Sequence, residues 1–252
     1  MTRAAIDNAE ESSSPLINNS AMQMQLTMQD INILVVTDVH SWVGGHPHND
    51  TLDVDYGHVL SFYERLQEIS LRQEKDLFFV MNGDFVDGTG LTTYPPEHLT
   101  PILEKMPWDA VNIGNHELYR NSTIEYIMKE GGFVDHWQGR YLTTNVLLVE
   151  TGEPIGDRYT FLKGTFSNRT ILTFGFIYDM PDSCSMTMVE YVEEVVNTDW
   201  FREIIDVEKK TSKSHEKTPR VDLIVGSLKR TTEHSQVYII QNESFVSHVV
   251  CV

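Results

Sequence analysis

Three short polar clusters carry the residue types that bind divalent cations or move protons. Asp38 and His40 stand two apart, Gly83-Asp84 forms the second cluster, and Gly114-Asn115-His116 forms the third. Carboxylate, imidazole and carboxamide oxygen together suit hard to borderline divalent ions such as Mn, Fe, Zn or Mg. Only Cys184 and Cys251 are present, so cysteine supplies neither a disulfide framework nor a four-thiolate zinc site. Any metal must be held by His, Asp, Asn or Glu. Taken singly, each polar residue is an ordinary turn former, and Gly83 and Gly114 are ordinary turn glycines. Taken together, at the ends of three successive apolar runs, they point to a catalytic metal site. In the expected geometry Asp84 bridges two ions, with Asp38 and His40 on one side and Asn115 on the other. Ions so paired clamp both oxygens of an in-line phosphoryl displacement.

The elements that must position these residues are legible as patterns. Ile31 to Thr37, Leu77 to Met81 and Ala110 to Ile113 are short apolar runs that read as buried strands, each running into one of the clusters. Val59, Phe62, Tyr63, Leu66 and Ile69 recur at helical spacing, which predicts a helix from Gly57 to Glu74. Shorter helices are expected near Thr100 to Met106 and from Ser122 to Lys129, the latter stopping at Gly131-Gly132. Strands separated by such crossovers form a parallel sheet whose ligands gather at the carboxyl ends of the strands. Further expected elements are a strand in Tyr141 to Val149, Tyr159 to Leu162 paired with Ile171 to Ile177, a helix from Met188 to Glu208, and a strand from Val221 to Val225.

Composition bounds the function. The 252 residues hold 19 Lys and Arg against 37 Asp and Glu, a net charge of -18, which argues against a nucleic-acid or anionic-membrane partner. With 40% hydrophobic and 22% charged residues the chain has the composition of one soluble domain with a real core. No run is long and apolar enough for a membrane span. The start lacks a secretory apolar stretch, so the chain reads as cytosolic as written. Residues 1–29 read as a disordered tail, 30–225 as the core and 226–252 as an atypical carboxyl-terminal segment. The sequons at Asn18, Asn121, Asn168 and Asn242 read as accidental, and His46-Pro47-His48 as a loop on the site rim. A nucleotide-binding module without metal is a poorer reading, because no Gly-x-Gly-x-x-Gly or P-loop pattern follows the first strand.

Asp38-Val39-His40, Gly83-Asp84 with Asp87-Gly88, and Gly114-Asn115-His116-Glu117 resemble the signature of the calcineurin-like metallophosphoesterases, in the branch similar to 5'-nucleotidases. Trp42-Val43-Gly44-Gly45-His46 and Glu117-Leu118-Tyr119 are most similar to a fungal subgroup. The resemblance implies an α/β fold, a four-layer α/β/β/α sandwich, that hydrolyses a phosphomonoester with metal-activated water. It implies that Asp38 and His40 bind the first metal, that Asp84 bridges and that Asn115 binds the second. It also implies that His116 stabilises or protonates the leaving oxygen, with Asn115 and His116 touching the substrate, a phosphorylated small molecule such as a nucleotide. Relatives are often secreted, vacuolar or surface proteins.

The chain also departs from that pattern. The family completes its metal shell with a later Gly-His and a Gly-His-x-His, whereas here Gly226-Ser227 follows the run Val221 to Val225, and His234 and His248 are not in such motifs. One or two ions are therefore expected, and the segment after Ser227 is not expected to continue the fold. That pattern reads as a truncated form, with an incomplete sandwich and weakened activity. The alternative is a catalytically inactive fragment acting as a binding or regulatory module. Tyr119 stands where the family often has an Asp that orients the histidine, which leaves His116 without an identified partner.

Overall fold

The computed structural model describes residues 28–45, 54–88, 90–178 and 180–205, together with the backbone of 221–227, 236–240 and 248–251. Most of the expected tail, residues 1–27, lies outside the described residues, as do His46, His48, His234 and the segment 206–220. Met28, assigned to the tail, is buried in the core.

The first strand, β1 (Ile31–Val36), is buried along its whole length. Helix α1 (Tyr56–Arg72) opens at Asp55, whose carboxylate accepts the His58 amide at 2.9 Å and so satisfies one of the free donors of the first turn. Its buried face is Tyr56, Val59, Tyr63, Leu66 and Ser70. Phe62, assigned to that face from spacing, is instead 43% exposed, because the helix rotates to turn its two tyrosines inward. Strand β2 (Asp76–Asn82), the short helix α2 (Thr100–Leu103) and strand β3 (Ala110–Asn112) follow. A 3-10 turn at His116–Tyr119 leads into α3 (Asn121–Ile127) and α4 (Phe133–His136).

The segment from Tyr141 forms two strands rather than one, β4 (Tyr141–Leu142) and β5 (Val146–Leu148). The break is fixed by buried polar side chains: the Asn145 carboxamide donates to the carbonyls of Ile177 and Glu190 and accepts the Ile177 amide. Strands β6 (Tyr159–Lys163) and β7 (Thr170–Ile177) pair antiparallel, as expected. The single helix expected from Met188 to Glu208 starts later and is broken. Thr187–Val189 form β8 against β5, α5 spans only Val192–Val195, and residues 199–205 are helical after a break. Asn197 and Thr198 end α5 by donating to the carbonyls of Glu193 and Val195. The segment after Ser227, expected to add nothing to the fold, contributes two strands. Beyond β9 (Val221–Ser227), β10 (Gln236–Ile240) pairs antiparallel with β9, and β11 (His248–Cys251) pairs parallel with β1.

The strands form a five-stranded parallel sheet, β11-β1-β2-β3-β4, a four-stranded sheet, β10-β9-β7-β6, and the pair β5-β8. Side-chain alternation defines the layers. Leu34, Val36, Phe79 and Met81 join the helix residues Tyr63, Leu66, Ile124 and Phe133 on one face of the first sheet. Ile33, Val35, Phe78 and Val80 meet Leu162 and Ile171 of the second sheet on the other face. Leu172, Phe174 and Phe176 then pack outward on Val195 and Phe201. The order is helix, sheet, sheet, helix, the expected α/β/β/α arrangement. No helix among the described residues is long and apolar enough to cross a membrane.

Candidate metal centre

The carboxyl ends of β1, β2 and β3 run into loops that bond to one another. The amides of Asp38, His40 and Ser41 donate to the carbonyls of Gly83, Asp84 and Phe85 at 3.3, 2.9 and 2.8 Å. Following this path puts Asp38, His40, Ser41, Asp84 and Asp87 in the left-handed region, with φ of 55, 47, 65, 53 and 68°. Two glycines make the approach possible. A Cβ on Gly88 would lie 1.8 Å from the His40 carbonyl oxygen, and one on Gly114 would lie 2.1 Å from the Asp84 amide nitrogen.

Glu117 joins the second loop to the third. Its side chain is fully buried, and its two oxygens accept four backbone amides: Asp84 at 2.9, Phe85 at 2.9, Val86 at 3.0 and Gly114 at 2.7 Å. Burial, and after it the Asp84 charge, pushes the Glu117 carboxyl up to about 8, while the amide donors act in the opposite sense. Glu117 thereby fixes the backbone that carries Asp84 and His116.

His40 Nδ1 lies 3.3 Å from the Val86 carbonyl oxygen. A carbonyl only accepts, so Nδ1 carries the proton and Nε2 is free to be a ligand. That Nε2 lies 4.0 Å from Asp38 Oδ1, and the other Asp38 oxygen accepts the Thr37 hydroxyl at 2.5 Å. His40, Asp84 and His116 bring one ligand atom each within 4.8 Å of one another, with Asp84 buried and both imidazoles partly exposed. Asp84 Oδ1 accepts the His116 amide at 2.9 Å. Burial pushes the Asp84 carboxyl above its ordinary range, and the Asp38 charge adds to this, against lowering by His116 and His40. A buried carboxylate facing a second carboxylate and two imidazoles is a donor set that a divalent cation would neutralise, so the residues present fit a metal.

The structure brings His40, Asp84 and His116 into direct convergence, with Asp38 beside His40. Asn115 lies at the mouth, where its Nδ2 donates to the Tyr119 hydroxyl at 2.8 Å. The partner that sequence reasoning did not find for His116 is Asp87, whose Oδ2 lies 3.1 Å from His116 Nδ1. Its signal was present as the second Asp of Gly83-Asp84-Phe85-Val86-Asp87, but contact across 29 positions is not visible in spacing. The His116 ring also stands edge-on to the rings of His40 and Tyr119, with centroids 4.3 and 4.9 Å away. His248 opens β11 opposite Asn32, at the end of the sheet away from these loops.

A family model described as calcineurin-like phosphoesterase matches residues 31–237. An uncharacterized protein of Schizosaccharomyces pombe is 33% identical over 186 residues, covering 70% of this chain and 30% of that protein. The crystal structure of a 5'-nucleotidase from Candida albicans superposes with a TM-score of 0.69 at 30% identity, covering 80% of this chain and 36% of the other. A 5'-nucleotidase precursor from Thermus thermophilus, at 11% identity and a TM-score of 0.54, shares the fold, with 77% of this chain and 36% of that one covered. The chain spans about a third of the length of these relatives.

Proposed function

Because this chain belongs to the calcineurin-like phosphoesterase family, whose members use divalent metals, we propose that its strand-end cluster hydrolyses a phosphomonoester, with 5'-nucleotides as the substrate class. The observation that carries this reading is the convergence of His40, Asp84 and His116 at the carboxyl ends of parallel strands, with His116 backed by Asp87. The likeness to the Candida albicans 5'-nucleotidase supports the substrate class. Asp38, His40, Asp84 and Asn115 would hold the metal, one ion or two. When bound, divalent ions supply Lewis acidity to the phosphoryl oxygens and lower the pKa of attacking water.

The chain's own groups do the rest. Asp87 accepts from His116 Nδ1, which turns Nε2 toward the leaving oxygen. As water adds to phosphorus, the bond to the leaving oxygen breaks and that oxygen takes the Nε2 proton of the His116 imidazolium; one proton of the water stays on the phosphate and the other returns through solvent to restore the imidazolium. Asn115, tethered by Tyr119, contacts the phosphoryl group from the mouth. Hydrolysis of p-nitrophenyl phosphate that requires Mn or Co and vanishes in Asp84→Asn, together with the bound metal, is the expected result. No hydrolysis with any divalent ion at high protein concentration would refute it and favour a binding or regulatory module.

A further inference from the structure

We propose that Tyr94 is a positioning residue that holds Asp87 against His116, and that Arg120 holds Tyr94 in place. The inference rests on the reading of His116 as the proton donor to the leaving oxygen. The two Asp87 oxygens have separate partners: Oδ1 accepts the Tyr94 hydroxyl, and Oδ2 faces His116 Nδ1 at 3.1 Å. Above Tyr94 sits the Arg120 guanidinium, 4.0 Å from the ring centroid. Arg120 directly follows the 3-10 turn His116–Tyr119, so the turn that presents the imidazole also carries the cation that pins the tyrosine. The path His116, Asp87, Tyr94, Arg120 closes on itself through the backbone.

The need for Tyr94 follows from where Asp87 sits. Its side chain is partly exposed and its backbone is left-handed, in a loop between β2 and α2. A carboxylate with a single partner rotates about its terminal torsion, which is broad for Asp, and exchanges that partner for water. A second partner on the other oxygen fixes the plane. With the plane fixed, Nδ1 keeps its acceptor and the ring keeps one tautomer and one orientation. Tyr94 acts on the reaction only through Asp87.

The test uses the full chain and Tyr94→Phe, which keeps the ring under Arg120 and removes only the hydroxyl. The first measurement is the ¹⁵N–¹H correlation of the His116 ring in metal-free protein at one fixed pH, assigned with His116→Gln. With the ring neutral, the wild type should show the Nδ1–H tautomer, the form that becomes the proton-donating imidazolium when Nε2 also takes a proton, and Tyr94→Phe should show a mixture of tautomers. The second is metal-loaded hydrolysis of phenyl phosphate, which needs a proton on its leaving oxygen, beside p-nitrophenyl phosphate, which scarcely does. Tyr94→Phe should lower kcat on phenyl phosphate about tenfold with KM unchanged, and far less on the nitrophenyl ester. Adding Tyr94→Phe to Asp87→Asn should cost nothing further, because the two act in series. An unchanged ring spectrum, an equal loss on both esters, or an additive double variant each overturns the inference. If Asp87→Asn and His116→Gln both hydrolyse phenyl phosphate like the wild type, the proton-donor reading fails instead, and the ring spectrum still decides what Tyr94 does to His116. If no ester is hydrolysed, the ring spectrum alone decides.

Discussion

Replacing Glu117 by Gln tests whether this buried carboxylate is the clamp that its hydrogen bonds describe. Four amides converge on two oxygens at 2.7 to 3.0 Å, and the side chain has no exposed surface. Glutamine keeps the volume and one acceptor oxygen. That oxygen can serve the amides of Phe85 and Val86, or those of Asp84 and Gly114, but not both pairs, and its NH2 group then faces two donors. An orphaned buried donor costs about 1–3 kcal/mol, so two of them cost roughly 2–6 kcal/mol. Against a total stability of about 5–15 kcal/mol this is a large fraction. At about 2–4 °C per kcal/mol for a domain of this size, Tm should fall by at least about 4 °C. Thermal unfolding by circular dichroism and urea unfolding measure it at pH 9, above the value of about 8 to which burial pushes Glu117, so that the group is the carboxylate that four donors require, with Glu125→Gln, exposed on α3, as the charge control. A Glu117→Gln protein within about 0.5 kcal/mol of wild type, the range of an inert surface change, would refute the clamp.

The same carboxyl gives a pH dependence. Its folded-state pKa lies above that of the unfolded chain, so the folded protein binds this proton more tightly. Its contribution to metal-free stability is therefore greatest in mild acid and is lost as pH rises from the ordinary carboxylate range toward about 8. Tm of the metal-free chain against pH should carry that slope, and Glu117→Gln should remove it. Gly88→Ala drives a Cβ to 1.8 Å from the His40 carbonyl, which is backbone and cannot swing aside, so a loss of about 1–3 kcal/mol and of bound metal is expected. Gly44→Ala, with nothing within 4 Å among the described residues, should leave both Tm and metal content unchanged.

The first half of the molecule was legible because its signals are local. The apolar runs of β1, β2 and β3 stop at polar residues, and the spacing of Val59, Tyr63 and Leu66 marks one side of α1. Asp38, His40, Asp84 and His116 were legible for the same reason: each lies just past a strand end. What escaped was decided across the sequence. Residues 188–208 read as one helix because their periodicity is ambiguous, and the pairing of Thr187–Val189 with β5 overrides it at the start of that span. Asp87 and Glu117 stood within recognised clusters, yet their partners lie about thirty residues away, on loops that only the finished sheet brings together. β10 and β11 owe their state to strands far away in the chain.

Seven residues other than glycine adopt left-handed backbone among the described residues, and five of them, Asp38, His40, Ser41, Asp84 and Asp87, surround the site. Each resists that conformation by up to about 1–2 kcal/mol, less for Asp. Together they oppose folding by a sizeable fraction of the stability of a whole domain, and the Glu117 clamp works against them. Heat resistance and the proposed chemistry thus compete for four of these backbone positions, those of Asp38, His40, Asp84 and Asp87. A stabilisation campaign that writes glycine wherever the chain turns left-handed would select these positions first and erase the donors they carry. Ser41 is the exception, since its hydroxyl is buried without a hydrogen-bond partner among the described residues, and glycine there relieves the backbone while leaving in place every group proposed to bind metal or transfer a proton.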